Sequence, residues 1–379
     1  MNLEILNEIV PCVILAGGKG RRMGGKEKAL IPLLDRPLLS YVLESVSGQV
    51  APIALNVNTN FDKFSKFGYP IIKDPIKGHL GPLAGILASL HWAQKINKDW
   101  VMTLPCDTPF LPKDLAQRMI EVKNRKMDVD LIIARSRGYN HPVVALWKSN
   151  LDFKLKNALD DGIRKIDLFT SKLKIAYVDF DTKNNLQFDP FTNLNSPLDL
   201  INAQQILGKL PPFFGLAGWS GSGKTTLCTK LIENFTKIGI KVGTLKHAHH
   251  KFELDKPGKD SFNLRQAGAR PMIISSKERF ALIQENDGDE EKSLFQMLEI
   301  FAKEPINQCD IIIVEGYKNE PIPKIEVYRP DINKPLLYKE DNNIFAIASD
   351  IKIESSIPSF DLNNINSISD FIIHKYNIS

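Results

Sequence analysis

Two segments of this chain combine glycine with basic residues in patterns that can hold phosphate groups. The first runs from Leu15 to Lys28 and contains five glycines and five basic side chains, directly after an apolar run. Glycines such as Gly17 and Gly18 let backbone N–H groups approach phosphate oxygens because no Cβ intervenes. Lys28 and Arg22 would neutralise charge developing on a triphosphate. This pattern favours nucleotidyl transfer over kinase chemistry.

The second segment, Gly218 to Thr226, has the G-x-x-x-x-G-K-T spacing of a P-loop. This spacing places Lys224 against the β and γ phosphates and the Thr225 hydroxyl on Mg²⁺, at the N-terminus of the following helix. An apolar strand precedes the loop, and a one-sided apolar helix up to Gly239 follows it. The predicted triphosphate-binding residues here are Gly218, Ser220, Gly221, Ser222, Gly223, Lys224, Thr225 and Thr226.

Two carboxylates stand at the ends of apolar strands, where parallel sheets bind ligands. Asp107, between Pro105 and Pro109, is the best candidate for a Mg²⁺ ligand, with a helix N-cap or a turn acid as the alternative. Glu315 ends a Walker B-like strand and is expected to assist Mg²⁺ or to orient water, unless it is an ordinary strand-end acid. In the Lys246 to His250 segment, phosphate or partner contacts are favoured over a zinc site, because no cysteine stands at zinc spacing.

Composition bounds the fold class and the partners. The chain has 379 residues, 43% of them hydrophobic and 25% charged, which suits two globular domains. A net charge of +5 without charge runs does not indicate nucleic-acid binding. The four cysteines are widely spaced and predict buried thiols in a reducing cytoplasm. With no leader pattern and no uncharged apolar run near about 20 residues, we expect a cytoplasmic protein without membrane contact.

Short β-like runs alternate with helical patterns along both halves, which is typical of α/β folds with mostly parallel sheets. Ser196-Pro197-Leu198-Asp199 predicts the start of a helix that runs to about Leu207, with Gly208 as its stop. We therefore predict two doubly wound domains: a Rossmann-like nucleotidyltransferase over residues 1–208 and a P-loop NTPase-like domain over residues 212–379.

The first half resembles molybdenum cofactor guanylyltransferases, on motifs that follow the family order. They are Leu15-Ala16-Gly17-Gly18, Arg22-Met23-Gly24-Gly25, Lys28, Asn56-Val57-Asn58, Asp74, Gly81-Pro82-Leu83-Ala84-Gly85, Pro105-Cys106-Asp107-Thr108-Pro109, His141-Pro142 and Asn193-Leu194-Asn195-Ser196-Pro197. The resemblance implies GMP transfer from GTP to molybdopterin, with Mg²⁺ on Asp107. It implies GTP contacts by Leu15, Ala16, Gly17, Gly18, Lys28, Asn56, Asp74, Gly81 and Asp107.

The same resemblance places Asn193 and Asn195 towards the pterin. For His141 a structural or pterin-facing role is favoured over acid–base catalysis, because a phosphomonoester nucleophile is already largely dianionic at neutral pH and needs no base. Glu27 replaces the Asp that the family more often has before Lys28, and it is expected to orient that lysine.

The second half resembles the molybdopterin-guanine dinucleotide biosynthesis adaptor protein, on the P-loop, Leu245-Lys246-His247, Asp255 to Ser261 and Val314 to Lys318. The resemblance implies GTP binding with slow hydrolysis and a supporting role for the transferase. Molybdenum-insertion proteins, apo-molybdoenzymes and a second copy bound through this half are the implied partners. Two alternatives stay open: a cytidylyl- or sugar-phosphate nucleotidyltransferase fused to a P-loop kinase, and a nucleotide-dependent scaffold.

Overall fold

The computed structural model describes residues 9–20, 26–76, 81–126, 128–180, 189–248, 255–286, 291–302 and 308–378. It divides into two compact units, with the division between Ala203 and Gln204. Each unit is built around its own mostly parallel sheet.

The first unit contains a seven-stranded sheet and two small hairpins. Its strands are β1 (Cys12–Leu15), β2 (Lys19–Gly20), β3 (Lys26–Glu27), β4 (Pro32–Leu33), β5 (Arg36–Pro37), β6 (Ile53–Asn56), β7 (Ile71–Ile72), β8 (Trp100–Pro105), β9 (Leu131–Ser136), β10 (Tyr139–Lys148) and β11 (Ile175–Asp179). The strand order is β11-β9-β10-β8-β1-β6-β7. Only β10 runs antiparallel to its neighbours within this sheet.

Helices cover both faces of this sheet. They are α1 (Leu38–Val46), α2 (Phe61–Ser65), α3 (Pro82–Lys95), α4 (Leu115–Arg125), α5 (Asp152–Asp160) and α6 (Ile166–Thr170). A further helix, α7 (Pro197–Ile206), spans the division between the units. Successive side chains of β1 point to opposite faces, so Cys12 and Ile14 join one apolar cluster with α1 and α4. Val13 joins the other with α3 and α5. The predicted doubly wound arrangement is confirmed.

The second unit has a six-stranded parallel sheet and a separate hairpin. Its strands are β12 (Phe213–Ala217), β13 (Val242–Lys246), β14 (Met272–Ser275), β15 (Phe280–Ile283), β16 (Ile311–Glu315), β17 (Lys324–Tyr328), β18 (Ile344–Ser349) and β19 (Ser359–Asp361), and its helices are α8 (Lys224–Lys237), α9 (Asp260–Gln266), α10 (Leu294–Phe301) and α11 (Ile365–Tyr376). The order β13-β16-β12-β17-β18-β19 puts the P-loop strand in the middle. Helices α8 and α11 bury one face of this sheet.

The start of α7 follows the predicted capping pattern. The Asp199 backbone N–H donates to the Ser196 hydroxyl at 3.2 Å, and the Asp199 carboxylate accepts the Ser196 N–H at 2.8 Å. This reciprocal pair satisfies two donors that a helix start otherwise leaves unpaired. Strands β11 and β19 are weaker signals in the sequence than β12, since their apolar patterns are short and mixed with polar or charged residues.

The cysteines are unpaired thiols, three of them buried and Cys309 half-buried. Burial raises the pKa of the Cys228 thiol to about 11 and raises the pKa of Cys12 and Cys106 as well. These thiols are therefore protonated and unreactive. Among the helices in the described ranges, none combines the length and apolar character needed to span a bilayer.

Candidate functional site

The candidate site of the first unit forms where three parallel strands end side by side. Leu15 at the end of β1 pairs with Asn56 of β6 and with Pro105 of β8. The loops that follow these strands therefore surround one cavity of about 660 Å³. Residues from the whole unit line it: Leu15, Gly17, Gly18, Lys28, Asn56, Asn58, Asp74, Gly81, Pro82, Gly85, Pro105, Asp107, Val143, Asn193 and Asn195.

The glycine-rich loop is held by its backbone and by a close neighbour. The Ala16 N–H donates to the Asn56 carbonyl at 2.9 Å, and the Lys28 N–H donates to the Gly18 carbonyl at 3.2 Å. A Cβ on Gly17 would lie 2.9 Å from the Asn58 amide nitrogen, whereas a Cβ on Gly18 would meet open space. Gly17 thus permits close packing, and Gly18 presents bare backbone to the cavity.

The Asp74 carboxylate accepts hydrogen bonds from two side-chain amides. Asn56 donates to one oxygen at 2.9 Å and Asn58 donates to the other at 2.8 Å, while the Asp74 N–H donates back to Asn58 at 3.0 Å. Asn56 is buried, and a Cβ on Gly85 would lie 2.5 Å from its side-chain oxygen. The carboxylate is thereby fixed in place, and its remaining lone pairs can accept hydrogen bonds from a ligand in the cavity. Asn58 is missing from the predicted site residues, although it follows Asn56 by two positions at the same strand end.

Lys28, Asp107 and Asn195 meet at the opposite wall of the cavity. The Lys28 ammonium forms an ion pair with the Asp107 carboxylate and donates to the Asn195 side-chain oxygen. Both partners of the ion pair are largely buried, at 14% and 9% side-chain exposure. Asp107 does not cap a helix, since α4 begins after Asp114. The alternative of an N-cap is therefore wrong.

A backbone contact ties the asparagine segment to the end of β8. The Leu194 N–H donates to the Asp107 carbonyl at 2.9 Å, and Thr108 donates to the Asn193 side chain at 2.7 Å. The Asp199 carboxylate accepts the Asn195 N–H at 2.8 Å. These bonds direct the Asn195 side chain to Lys28 while Asn193 is held beside Thr108.

The donor set at Lys28 suits a hard divalent cation. The Asp107 carboxylate and the Asn195 amide oxygen already converge on one positive charge, the Lys28 ammonium. Carboxylate and amide oxygens, completed by phosphate oxygens and water, are what Mg²⁺ prefers. A metal at this position requires the Lys28 ammonium to turn away from both oxygens.

Three further predictions concern the rim of this site. The Glu27 carboxylate accepts bonds from Thr59 at 2.8 Å and from Asn60 at 2.7 Å, so the prediction that it orients Lys28 is wrong. It holds the 59–60 turn instead. Arg22 lies outside the described residues. Gly81, with φ of +72°, precedes Pro82 at the start of α3 and lines the cavity.

His141 lies on β10 in a polar cluster of its own. Its Nε2 is 2.7 Å from the Ser136 hydroxyl, which donates to Asp189 at 2.7 Å. With that hydroxyl proton directed to Asp189, His141 Nε2–H donates to Ser136. Burial lowers the pKa of His141, and Asp189 opposes this shift. His141 supports β10 here, while Val143, two residues further on, reaches the cavity.

The P-loop of the second unit joins β12 to α8 and closes on itself. The Lys224 ammonium donates to the carbonyls of Gly218 and Trp219 at 2.9 and 2.8 Å, and burial lowers its pKa. Gly218 has φ of +146°, and a Cβ there would lie 2.5 Å from the Val327 carbonyl. Ser222 is buried, whereas Ser220 is exposed on the loop.

Glu315 reaches the first turn of α8 because β16 pairs directly with β12. The Thr225 hydroxyl donates to the Glu315 carboxylate at 2.5 Å, and the Lys246 ammonium lies 3.6 Å from it. A hydroxyl and a carboxylate side by side at the P-loop are suitable donors to Mg²⁺ or to its bound water. Thr226 is exposed on the same turn, with Gly221 and Gly223 in left-handed backbone conformations before it.

His247 does not join a metal cluster within the described residues, where no group of three ligating side chains converges. Its Nε2 lies 2.5 Å from Glu291, and its N–H donates to the Glu315 carbonyl at 2.9 Å. His249 and His250 lie outside the described residues.

Comparisons with known proteins divide the chain in the same way. Residues 12–172 match the model of the MobA-like NTP transferase domain, and residues 213–350 match that of Molybdopterin guanine dinucleotide synthesis protein B. A molybdenum cofactor guanylyltransferase of Rhodopseudomonas palustris is 41% identical over 199 residues, which is 52% of this chain and 93% of that protein. One of Shewanella loihica is 38% identical over 188 residues, 50% of this chain and 92% of that protein.

Solved structures resemble each half. The molybdopterin-guanine dinucleotide biosynthesis protein A of Archaeoglobus fulgidus is 26% identical with a TM-score of 0.44, covering 53% of this chain and 100% of that one. The MobB protein homolog of Bacillus stearothermophilus is 22% identical with a TM-score of 0.34, covering 44% of this chain and 99% of that one.

Proposed function

We propose the function from one premise: this chain belongs to the molybdenum cofactor guanylyltransferases, and it carries a synthesis protein B domain behind its transferase half. The first unit transfers GMP from GTP to molybdopterin and releases pyrophosphate. The observation that carries this proposal is the single cavity in which the glycine-rich loop, Lys28, Asp107 and the Asn56–Asp74 pair converge. The same comparisons favour guanylyl transfer over cytidylyl or sugar-phosphate transfer.

The site residues divide the work by charge. Backbone at Gly18 and the carboxylate of Asp74 hold the nucleotide, with Asp74 facing its base or ribose donors. The phosphate of the pterin attacks the α-phosphorus of GTP, a new P–O bond forms there, and the bond to the β-phosphate breaks as pyrophosphate leaves. A phosphomonoester has a second pKa of about 6, so the nucleophile needs no base. Positioning and charge neutralisation then account for the acceleration.

Lys28 moves from its pair with Asp107 to the phosphates as GTP enters, since the triphosphate offers it more negative charge. Asp107 and Asn195 would then be free to hold Mg²⁺, which would supply Lewis-acid charge to the phosphate oxygens. Asn193 and Asn195 face the pterin side in this proposal, and Arg22 joins Lys28 at the departing pyrophosphate.

The test of the transfer is pyrophosphate release with molybdate-loaded molybdopterin and GTP, CTP or ATP in turn. We expect release with GTP alone, and a loss of about 10²- to 10³-fold in Asp107→Ala, as for removal of an electrostatic catalytic group. Asp128→Ala, the same change at an exposed aspartate of this unit, is the matched control and keeps full activity. Release from CTP, or undiminished release in Asp107→Ala, contradicts the proposal.

The second unit binds GTP and acts as an adaptor. We take residues 212–379 as its functional extent and residues 1–208 as that of the transferase. Support comes from the P-loop geometry around Lys224 and Thr225. Lys224→Ala should abolish GTP binding by this unit and leave first-unit transfer intact in purified protein. Lys230→Ala, an exposed lysine on the same helix, is the control. If Lys224→Ala lost guanylyl transfer as well as GTP binding, the assignment of the transfer to the first unit would be wrong.

A second copy of the chain is the proposed partner of this unit, alongside molybdenum-insertion proteins and apo-molybdoenzymes. The hairpin of β14 and β15 carries four large apolar side chains that are about half exposed or more: Ile273, Ile274, Phe280 and Leu282. Contiguous exposed apolar surface marks interaction sites. Sedimentation should show a dimer that Ile273→Lys dissociates; a monomeric wild type contradicts this part.

A further inference from the structure

A cavity of about 690 Å³ lies beside the P-loop of the second unit, on the side of β13 and β16. Its walls are the loop itself, the ends of these two strands and the segment before α10. The volume exceeds what the terminal phosphate of a bound nucleotide fills, since drug-sized ligands occupy cavities from about 300 Å³ upwards.

The terminal phosphate has its own partners at one end of this cavity. Lys224 and the Thr225–Glu315 pair mark that end, because P-loop lysine and threonine act at the β and γ phosphates. Lys246 lies beyond them, 3.6 Å from Glu315, and His247 and Tyr317 follow. The rest of the cavity therefore opens past the γ-phosphate.

That remaining space offers a cation without a carboxylate partner. Lys246 is drawn to Glu315, and Lys292 donates to Asn286 at 3.3 Å. Lys318 instead lies 5.5 Å from the centre of the Trp219 ring, and no carboxylate pairs with it in the described parts of the chain. Its ammonium is available to an anionic ligand.

Aromatic side chains stand next to this cation. The rings of His247 and Tyr317 are 4.6 Å apart, and the Trp219 indole N–H donates to the Pro335 carbonyl at 2.9 Å, which fixes that ring. A Cβ on Gly316 would lie 2.6 Å from His247 Cβ, so glycine is required for this close approach. Rings held this rigidly present preformed surfaces to a planar heterocycle.

We propose that this cavity binds a planar heteroaromatic phosphate, the phosphorylated pterin substrate or its dinucleotide product, beside the γ-phosphate of GTP. Lys318 pairs with the ligand's phosphate, and Tyr317 with Trp219 contacts its ring. The inference rests on the proposed function, and it gives the adaptor half a second ligand besides GTP.

The experiment uses the full chain with a non-hydrolysable GTP analogue and, as probe, the monophosphate of 6-hydroxymethylpterin, which is fluorescent. Energy transfer from tryptophan to the bound pterin is measured, and the part lost in Trp219→Phe reports this cavity. We expect Lys318→Ala to weaken the affinity for the probe, measured from that signal, five- to tenfold. Lys334→Ala is the matched control, since Lys334 lies at the same 5.5 Å from the Trp219 ring but does not line the cavity. Its affinity should stay within twofold of wild type.

Competitors identify what is recognised. Molybdopterin and its guanine dinucleotide should each displace the probe, and the one that acts at the lower concentration is the ligand. Displacement by inorganic phosphate at equal concentration would show recognition of an anion alone and overturn the proposal, as would equal effects of Lys318→Ala and Lys334→Ala. Guanylyl transfer is assayed on the same preparations. Intact transfer without Lys318-dependent binding refutes this inference alone, whereas absent transfer refutes the proposed function.

Discussion

The two phosphate loops of this chain use the same residue types and are held in different ways. In the second unit, Lys224 bonds to carbonyls five and six positions away, within its own loop. In the first unit, Lys28 bonds to Asp107 and Asn195, which are 79 and 167 positions away. The lysine of the second unit's loop is therefore held by its local sequence. The lysine of the first unit's loop is held by residues from distant strands and segments of that unit. The first site should therefore respond to distant changes, and the second mainly to changes within the loop.

The sharpest test of the local loop is Gly218→Ala, for which we expect the largest effect. The added Cβ would lie 2.5 Å from the Val327 carbonyl, at a φ of +146° that side chains rarely adopt. We expect equilibrium dialysis to show the GTP bound per chain falling to that of the first unit alone, and the unfolding temperature to drop.

Gly221→Ala is the matched control, because its φ is also positive at +81° but its Cβ would meet open space. It should cost only the backbone strain, of about 1–3 kcal/mol. Equal losses in the two variants would show that loop conformation alone, without the contact to β17, decides binding.

A change remote from the chemistry tests the first loop. Asp199→Asn weakens the acceptor that holds the Asn195 and Ser196 N–H groups at 2.8 Å each. Hydrogen bonds to charged groups contribute about 1.5–3 kcal/mol, and part of this should appear as misplacement of Asn195. We expect guanylyl transfer to fall roughly three- to tenfold, measured as kcat for pyrophosphate release.

Asp160→Asn, at an exposed aspartate of α5, is the control and should leave kcat unchanged. Unaltered kcat in Asp199→Asn would contradict the idea that the asparagine segment is positioned from a distance.

The smallest expected effect concerns pH and His141. Burial lowers its pKa in the folded chain, so the unfolded chain binds this proton more readily. Stability is then complete above the unfolded value of about 6.5 and is lost as pH falls from there towards the lowered folded pKa. His141→Gln should flatten the dependence of the unfolding temperature on pH between about 5 and 7. His91→Gln, at a more exposed histidine, is the comparison, and an identical flattening there would refute the assignment.

The fold was largely predictable because its signals are periodic and repeated. Strands such as Phe213–Ala217 and Met272–Ser275 match the apolar runs of the sequence, and the Ser196–Asp199 capping pattern marks the start of α7. Strand β11 is a weaker signal in the sequence, because it has only five residues and its two buried positions, Ala176 and Val178, alternate with Tyr177 and Asp179. The division between the units falls at Ala203–Gln204, within α7, a few residues before the predicted linker.

The candidate sites were predictable to unequal depth. The sequence pointed to Lys28, Asp74 and Asp107 one by one, but it could not show that Asn58 completes the Asp74 pair or that Glu27 faces Thr59 and not Lys28. Those contacts depend on which strand ends are neighbours in the sheet. They could not be predicted, because the distance between two residues in the sequence does not indicate the order of the strands.

The sequence by itself determined the P-loop, because glycines at fixed spacing before a helix dictate backbone geometry over a few residues, and the lysine and threonine then have one place to reach. It also determined two α/β units, through apolar periodicity. Only the tertiary structure decided that Lys28 meets Asp107 and Asn195, and that Lys318, Tyr317 and Trp219 surround a second cavity. The physical reason is that parallel strands bring their carboxyl ends together regardless of chain separation, and the packing of the sheet chooses which ends become neighbours.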